Sequence, residues 1–131
     1  MAEESISELD DLIWESRVEK SPDPVVVMFY SPLCRHCIQI LPFVEELAGE
    51  FTGVVSFGKL NVTRFSWMAE RFGVMGTPAF FAFCGGKPVQ MRLGAVFPPM
   101  LRKMVEEVVE HGDECRLRST ELKRLLPDSY A

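Results

Sequence analysis

The chain has 131 residues, of which 47% are hydrophobic, and its formal net charge is −5 at pH 7. This length and composition allow one domain with a single core and argue against two domains. The basic residues are scattered, which argues against a nucleic-acid partner, because phosphates need a clustered positive face. No apolar stretch approaches the roughly 20 residues of a membrane-spanning helix, and the acidic start, residues 1–4, has no signal-peptide pattern. The sequence therefore predicts a soluble cytoplasmic protein with no membrane partner.

The first elements of the chain are a short apolar segment and a helix. Residues 5–9 could form either an edge strand or the first turn of that helix. Asp10 or Asp11 is the candidate N-cap, and the helix runs to about Lys20 before the prolines of residues 21–24 stop it. Its apolar stripe would consist of Leu12, Ile13, Trp14 and Val18.

Two strands and two helices are predicted next. The apolar run Val25–Tyr30 is typical of a central parallel strand that is buried on both faces. A helix follows over Cys34–Glu50, in which Pro42 is expected to kink the axis because it removes a hydrogen bond. Val54–Asn61 reads as the second of these strands, and Ser66–Arg71 reads as a short helix.

A hairpin and a last long helix complete the pattern. Ala79–Phe83 and Val89–Leu93 are apolar strands separated by the turn residues 85–86, which indicates an antiparallel pair. Pro98 or Pro99 then opens a helix that runs to about Glu110. The core-facing residues of this helix would be Met100, Leu101, Met104, Val105 and Val108.

This order of elements mixes parallel crossovers with a final hairpin. A single central sheet of four to five strands with helices on both faces, an α/β fold, satisfies it. We predict one domain over residues 1–112 and a tail over residues 113–131, with a short helix, that packs on the domain or is appended to it.

The motif Cys34-Arg35-His36-Cys37 stands directly after the predicted strand that ends at Tyr30. If a helix begins near Cys34, the unpaired N–H groups and the helix dipole favour a negative charge on the first thiol. The thiolate is the reactive species, and Arg35 and His36 would tune it by adding positive character beside it. The pattern therefore points to thiol–disulfide exchange.

The other two cysteines have no partner at motif spacing. Cys84 ends an apolar strand, and the preferred interpretation is a small buried hydrophobe. Cys115 lies in a polar stretch, where we expect it to be exposed, with an accidental or a regulatory role.

Three segments of the chain together resemble the thioredoxin family, over about residues 5–111. Residues 29–37 look like the active-site segment of that family, and residues 72–79 look like the segment that carries its cis-proline. The pair Gly94-Ala95 looks like the small residues that close the substrate groove. The resemblance implies a thioredoxin fold with an extra C-terminal helix, and a cis peptide bond before Pro78.

The resemblance also implies roles for individual residues. Cys34 would attack a substrate disulfide and Cys37, one turn inside the helix, would resolve the mixed disulfide. The backbone of Thr77 would pair with an extended client peptide. The groove would be lined by Leu33, Met75, Thr77, Pro78, Gly94 and Ala95. No cofactor is implied beyond the redox-active disulfide, and the partners would be disulfide-containing client proteins and an upstream thiol reductase or other electron donor.

The chain departs from the family pattern at three places. Leu33 replaces the usual Trp before the first cysteine, and the Arg-His pair between the cysteines is more like the isomerase and oxidase branches. Met28 stands where relatives carry a buried carboxylate, although Lys59, the usual partner of that acid, remains. Lys59 would then either help to remove a proton from Cys37 or simply extend its amine into water.

The preferred interpretation is an oxidoreductase that reduces protein disulfides, and three alternatives stay open. Within redox chemistry, the Arg-His pair favours a more oxidising enzyme, an oxidase or isomerase. The cysteines could instead bind a thiophilic metal, although a structural site needs four ligands and no second pair is in sight. The domain could also be a non-catalytic module that binds peptides beside Pro78.

Overall fold

The computed structural model describes residues 6–94 and 98–111. The strands are β1 (Ile6–Leu9), β2 (Val25–Tyr30), β3 (Ser56–Asn61), β4 (Ala79–Cys84) and β5 (Lys87–Leu93). The helices are α1 (Arg35–Glu50), α2 (Ser66–Arg71) and α3 (Pro98–Glu110). The predicted order of strands, hairpin and long helices is confirmed. Of the two alternatives for residues 5–9, the described part forms an edge strand.

The five strands form one mixed sheet in the order β1-β3-β2-β4-β5. β1, β3 and β2 run parallel, whereas β4 is antiparallel to both β2 and β5. β2 is therefore central, as its unbroken apolar run predicted, and its C-terminal end leads directly into the segment that carries the cysteine motif. This architecture confirms the predicted α/β fold.

The sheet has a hydrophobic core on each face, because successive residues of a strand point in opposite directions. On one face, Val26 and Met28 pack with buried side chains of α1 and α3. On the other face, Val27 and Phe29 pack with Trp14 and with α2. Two predicted core residues are wrong: Leu12 is 86% exposed and Met100 is 49% exposed, because each lies at the margin of the apolar stripe to which it was assigned.

The segment between β1 and β2 differs from the α-helix that the sequence predicted. It contains a π-helical turn over Glu15–Glu19, in which the N–H of Lys20 donates to the carbonyl of Glu15 at 2.8 Å. The Asp10 carboxylate caps the preceding turn, accepting hydrogen bonds from the backbone N–H groups two and three residues later, each at 2.9 Å. Asp10 therefore caps this turn and not the helical segment, whose N-cap is Trp14 with no side-chain cap, so the predicted helix cap is wrong; the wider turn still buries Val18.

Some predictions fall outside the described part of the chain. These are the groove residue Ala95, Cys115, and the tail over residues 113–131 with its short helix. The division into a domain over residues 1–112 and a tail therefore stays a prediction. Among residues 6–94 and 98–111, no helix has the length and apolar character needed to cross a membrane.

Candidate functional site

The two cysteines of the motif lie at the N-terminal end of α1, shortly after β2 ends. Cys34 is the N-cap of α1, with φ −81° and ψ 113°, and its Sγ accepts a hydrogen bond from the backbone N–H of Cys37 at 3.2 Å. A sulfur in this position faces the unpaired N–H groups of the first turn, which contains no acidic residue. The helix start therefore stabilises a negative charge on Cys34, as the sequence predicted.

The two thiols differ in exposure, and the difference has the predicted sense. Cys34 is partly exposed, whereas Cys37 is only 2% exposed. Both are free thiols, so this structure holds the dithiol form of the pair. Cys34 is placed to meet another molecule, and Cys37 is placed to meet Cys34.

Burial and hydrogen bonding together give the two thiols opposite pKa shifts. Burial by itself would raise the pKa of Cys34, but hydrogen bonds from the side chains of Cys37 and Thr77 and from the backbone of Cys37 and His36 outweigh it. The pKa of the Cys34 thiol is therefore held below its ordinary value. Burial, followed by the hydrogen bond with Cys34, raises the pKa of the Cys37 thiol. At neutral pH this arrangement favours an attacking thiolate at Cys34 and a protonated thiol at Cys37.

The segment before β4 approaches the cysteines from across the sheet. The Thr77–Pro78 peptide bond is cis, as the resemblance implied. Hydrogen bonding by the Thr77 side chain lowers the pKa of both thiols, and its single hydroxyl proton can be donated to only one of them at a time. Sequence reasoning assigned only the backbone of Thr77 to the site and missed this hydroxyl, for which a threonine directly before the cis-proline was the available signal.

Several apolar side chains in the segments next to the motif and to the cis-proline are exposed. Leu33 is 93% exposed and Met75 is 99% exposed, which fits their predicted place at the rim of a groove. The N–H of Gly94 donates to the carbonyl of Pro78 at 2.9 Å, so the end of β5 is held against the cis-proline segment. Leu93, which the sequence analysis did not assign, is also largely exposed beside Gly94. The roles of these residues in binding a client stay predictions.

The Arg-His pair between the cysteines lies on the surface. Arg35 and His36 are both exposed in the first turn of α1. The contribution of His36 to the Cys34 thiolate comes from its backbone. The predicted tuning by the two side chains stays a prediction.

Met28, which stands where relatives carry a buried carboxylate, is buried in the core cluster that also contains Cys37. Lys59 forms an ion pair with a different acid, and its Nζ lies 3.7 Å from Glu8 Oε1. Glu8 Oε2 in turn accepts a hydrogen bond from the hydroxyl of Tyr30 at 2.7 Å. Sequence reasoning could not find Glu8, since its place beside Lys59 depends on the register of two strands that are far apart in the sequence.

The preferred interpretation of Cys84 as a simple buried hydrophobe is wrong. Cys84 is only partly buried and is engaged in a disulfide bond. Its partner is neither Cys34 nor Cys37, because both of those are free. Cys84 follows Phe83, which pairs with Val25 at the start of β2, so this bond lies at the end of the sheet opposite to the motif.

The described residues offer no ready metal site. Within residues 6–94 and 98–111, no group of three or more His, Cys, Asp or Glu side chains could hold an ion. In this part of the chain, the two motif thiols are therefore without the further ligands that a tetrahedral site needs.

Comparisons with known proteins agree with this site. The family model described as Thioredoxin matches residues 5–107. The chain is 35% identical over 101 residues to thioredoxin M4, chloroplastic, of Arabidopsis thaliana, covering 77% of this chain and 52% of the relative. It is 34% identical over 102 residues to thioredoxin M-type, chloroplastic, of Brassica napus, covering 78% of this chain and 58% of the relative.

A bacterial relative is matched over nearly its whole length. The chain is 32% identical over 103 residues to thioredoxin of Allochromatium vinosum, covering 79% of this chain and 96% of the relative. By contrast, it spans little more than half the length of the two chloroplastic relatives. The matched residues contain the whole sheet, the cysteine pair and the cis-proline segment. The chain belongs to the thioredoxin family.

Proposed function

We propose that this protein is a thiol–disulfide oxidoreductase that reduces protein disulfides through the Cys34–Cys37 couple. One observation carries the proposal. Cys34, a partly exposed thiol with a lowered pKa, caps the helix next to the buried thiol of Cys37, and its Sγ accepts a hydrogen bond from the backbone N–H of Cys37 at 3.2 Å. The family membership of the chain supports the same chemistry.

The reaction begins at the more exposed thiol. The Cys34 thiolate attacks one sulfur of a client disulfide, forms a mixed disulfide with it, and releases the other client sulfur as a thiolate. The Cys37 thiol then loses its proton and attacks Cys34 Sγ. The Cys34–Cys37 disulfide forms, the second client sulfur leaves as a thiolate, and the client takes up two protons. Two electrons have passed from the protein to the client.

The cycle closes only when an external reductant restores the dithiol. An upstream thiol reductase, or another dithiol donor, would supply two electrons through exchange at Cys34. The apolar rim of Leu33 and Met75 offers contact area to an unfolded or extended segment around the client disulfide. The cytoplasmic location suggested by the sequence remains part of this proposal.

The test is catalysed reduction of insulin with dithiothreitol as the donor. We expect turnover by the unmodified protein, and none by Cys34→Ser or Cys37→Ser. A Cys84→Ser variant is the matched control, because it also removes one sulfur but at the opposite end of the sheet. Turnover that survives in Cys34→Ser would contradict the proposal.

The direction of the reaction is tested by the reduction potential of the couple. A reduction potential of about −270 mV, the value of thioredoxin, would support a reductase. A reduction potential of about −180 mV or above would place the protein with isomerases and oxidases. Equilibration in defined thiol–disulfide buffers, followed by trapping of free thiols, gives the value. We propose the reductase direction because the relatives of the chain are thioredoxins, and the thioredoxin couple lies at the reducing end of this range.

A non-catalytic peptide-binding module is the second candidate, and the exposed apolar rim favours it as far as binding alone is concerned. Such a module would bind an extended peptide equally well in the Cys34→Ser variant. An oxidoreductase would lose covalent capture of a disulfide peptide in the same variant, so the two functions are separated by one substitution.

A further inference from the structure

A disulfide bond lies outside the cysteine motif. Cys84, the last residue of β4, is engaged in this bond, whereas Cys34 and Cys37 are both free thiols. The chain contains four cysteines, and the fourth is Cys115. Cys115 itself lies outside the described residues, but the cysteine inventory leaves it as the intramolecular partner of Cys84.

The end of α3 brings Cys115 within reach of Cys84. α3 ends at Glu110, and its last turn buries Val108 in the same core cluster as Ala82. Cys84 follows Ala82 by two positions in β4, so the two side chains point to the same face of the sheet. The chain from Glu110 to Cys115 spans at most about 17 Å when it is extended. Chain length therefore permits the bond while β4 and α3 stay where they are.

The bond at Cys84 lies far from the motif. Phe83 pairs with Val25, the first residue of β2, whereas Tyr30 is the last residue of that strand before the motif. At about 3.3 Å per residue, β2 separates these two ends of the sheet by about 17 Å. Exchange requires contact between sulfurs, because a thiolate attacks a disulfide sulfur directly. The motif of the same molecule therefore does not open or close the Cys84 bond.

Small thiols have access to Cys84. This residue is only partly buried, and the turn residues Gly85 and Gly86 follow it directly. Their φ angles of 59° and 84° reverse the chain into β5. Glycines carry no side chain that would cover the sulfur, so a low-molecular-weight thiol can approach the bond from this end of the sheet.

We propose that Cys84 and Cys115 form a second redox couple, independent of the motif, that anchors the C-terminal segment after α3 to this end of the sheet. To close the bond, the thiolate of one cysteine attacks a low-molecular-weight disulfide and displaces one small thiol. The thiolate of the other cysteine attacks the resulting mixed disulfide and displaces the second small thiol. The cysteine pair loses two electrons and two protons, and the small disulfide becomes two thiols. Opening is the reverse reaction, with two small thiols as the reductant.

The proposed bond closes a loop that contains β5 and α3. About 30 residues lie between Cys84 and Cys115. In the chain-entropy model, closing a loop of this length shifts the unfolding equilibrium toward the folded state on the order of several hundredfold. By thermodynamic linkage, the folded chain favours the bond over the unfolded chain by the same factor. The inference goes beyond the proposed function, because it assigns no step of client reduction to this pair.

The first experiment maps the bond in the full-length protein after equilibration with oxidised glutathione. Free thiols are alkylated, and trypsin then places the cysteines in four separate peptides, residues 21–35, 36–59, 72–92 and 104–116. We expect mass spectrometry to find peptide 72–92 linked to peptide 104–116. An alkylated Cys84, or its linkage to a motif peptide or to a second copy of peptide 72–92, would overturn the inference.

The second experiment measures the equilibrium between open and closed bond in mixtures of reduced and oxidised glutathione, using the same peptides as the readout. We expect the equilibrium constant for closure to be several hundredfold larger in native protein than in urea-unfolded protein. Equal constants would show that the fold does not hold the two cysteines together and would contradict the anchor.

The matched control is the double variant Cys34→Ser/Cys37→Ser, in which the native closure constant of the Cys84 bond should be unchanged. A constant that depends on the motif would contradict an independent couple. Neither readout involves client turnover, so a failed insulin assay would bear on the proposed function alone.

Discussion

The Thr77 hydroxyl is the group outside the motif whose effect on the thiols can be predicted most directly. Its hydrogen bonding, to one sulfur at a time, lowers the pKa of both Cys34 and Cys37. Thr77→Val removes the hydroxyl and keeps the branched shape of the side chain. We expect the pKa of Cys34 to rise, because the thiolate loses a donor that the protonated thiol does not need.

The size of the effect follows from the hydrogen bond and the exposure of the sulfur. A hydrogen bond to a charged group contributes about 1.5–3 kcal/mol to stability when it is well shielded. Cys34 is partly exposed, so water replaces part of the lost interaction and about 1 kcal/mol remains. The thiolate fraction near neutral pH should therefore fall about fivefold.

Alkylation of Cys34 by iodoacetamide measures this fraction. The rate would be followed by mass spectrometry from about pH 5 to about pH 10, the range in which cysteine thiols titrate. The rate profile of Thr77→Val should be displaced to higher pH and should meet that of the unmodified protein where both thiols are fully ionised. Thr77→Ser is the matched control, because it keeps the hydroxyl and should behave like the unmodified protein.

Equal rates near neutral pH for Thr77→Val and Thr77→Ser would refute this reasoning. A rate that stays lower at the alkaline end would also refute it, because it would indicate a blocked sulfur rather than a weaker acid.

Two further predictions concern other parts of the fold. Gly58→Ala should destabilise the protein by about 1–3 kcal/mol in urea unfolding, because a Cβ there would lie 2.6 Å from a Leu9 side-chain carbon. Gly76→Ala is the control and should be nearly neutral, since a Cβ there would have nothing within 4 Å. Equal losses of stability in the two variants would contradict the close contact between Gly58 and Leu9. Cys84→Ser should lower the urea midpoint of unreduced protein and leave alkylation of the motif thiols unchanged. Reduction of both proteins should abolish the difference between their midpoints. An unchanged midpoint in unreduced Cys84→Ser would contradict a stabilising role of the Cys84 disulfide.

Local sequence patterns predicted the elements whose burial can be inferred from their own consecutive residues. The continuous apolar run of Val25–Tyr30 predicted a central strand, and the prolines at the start of α3 predicted its first residue. The helix after β1 was predicted as an α-helix because its apolar spacing fits both kinds of turn. The backbone instead takes a wider π-helical turn, which depends on how Trp14 and Val18 pack against the sheet.

The site was predicted in part, for the same physical reason. The motif and the residues before Pro78 are local in sequence, so Cys34, Cys37 and the cis bond could be predicted. The pairing of Lys59 with Glu8 could not, since it depends on which strands are neighbours and in what register. The disulfide of Cys84 is likewise a tertiary contact without a local signal.

Covalent capture of a client by Cys34 tests the central claim most directly. Reduced Cys37→Ser protein would be incubated with a labelled disulfide peptide and analysed by mass spectrometry without reduction. The account predicts a stable mixed disulfide on Cys34 that dithiothreitol releases, and no adduct when Cys34→Ser is added to the same variant. No adduct on Cys34, or equal capture by the protein that lacks both thiols, would contradict thiol–disulfide exchange at this site.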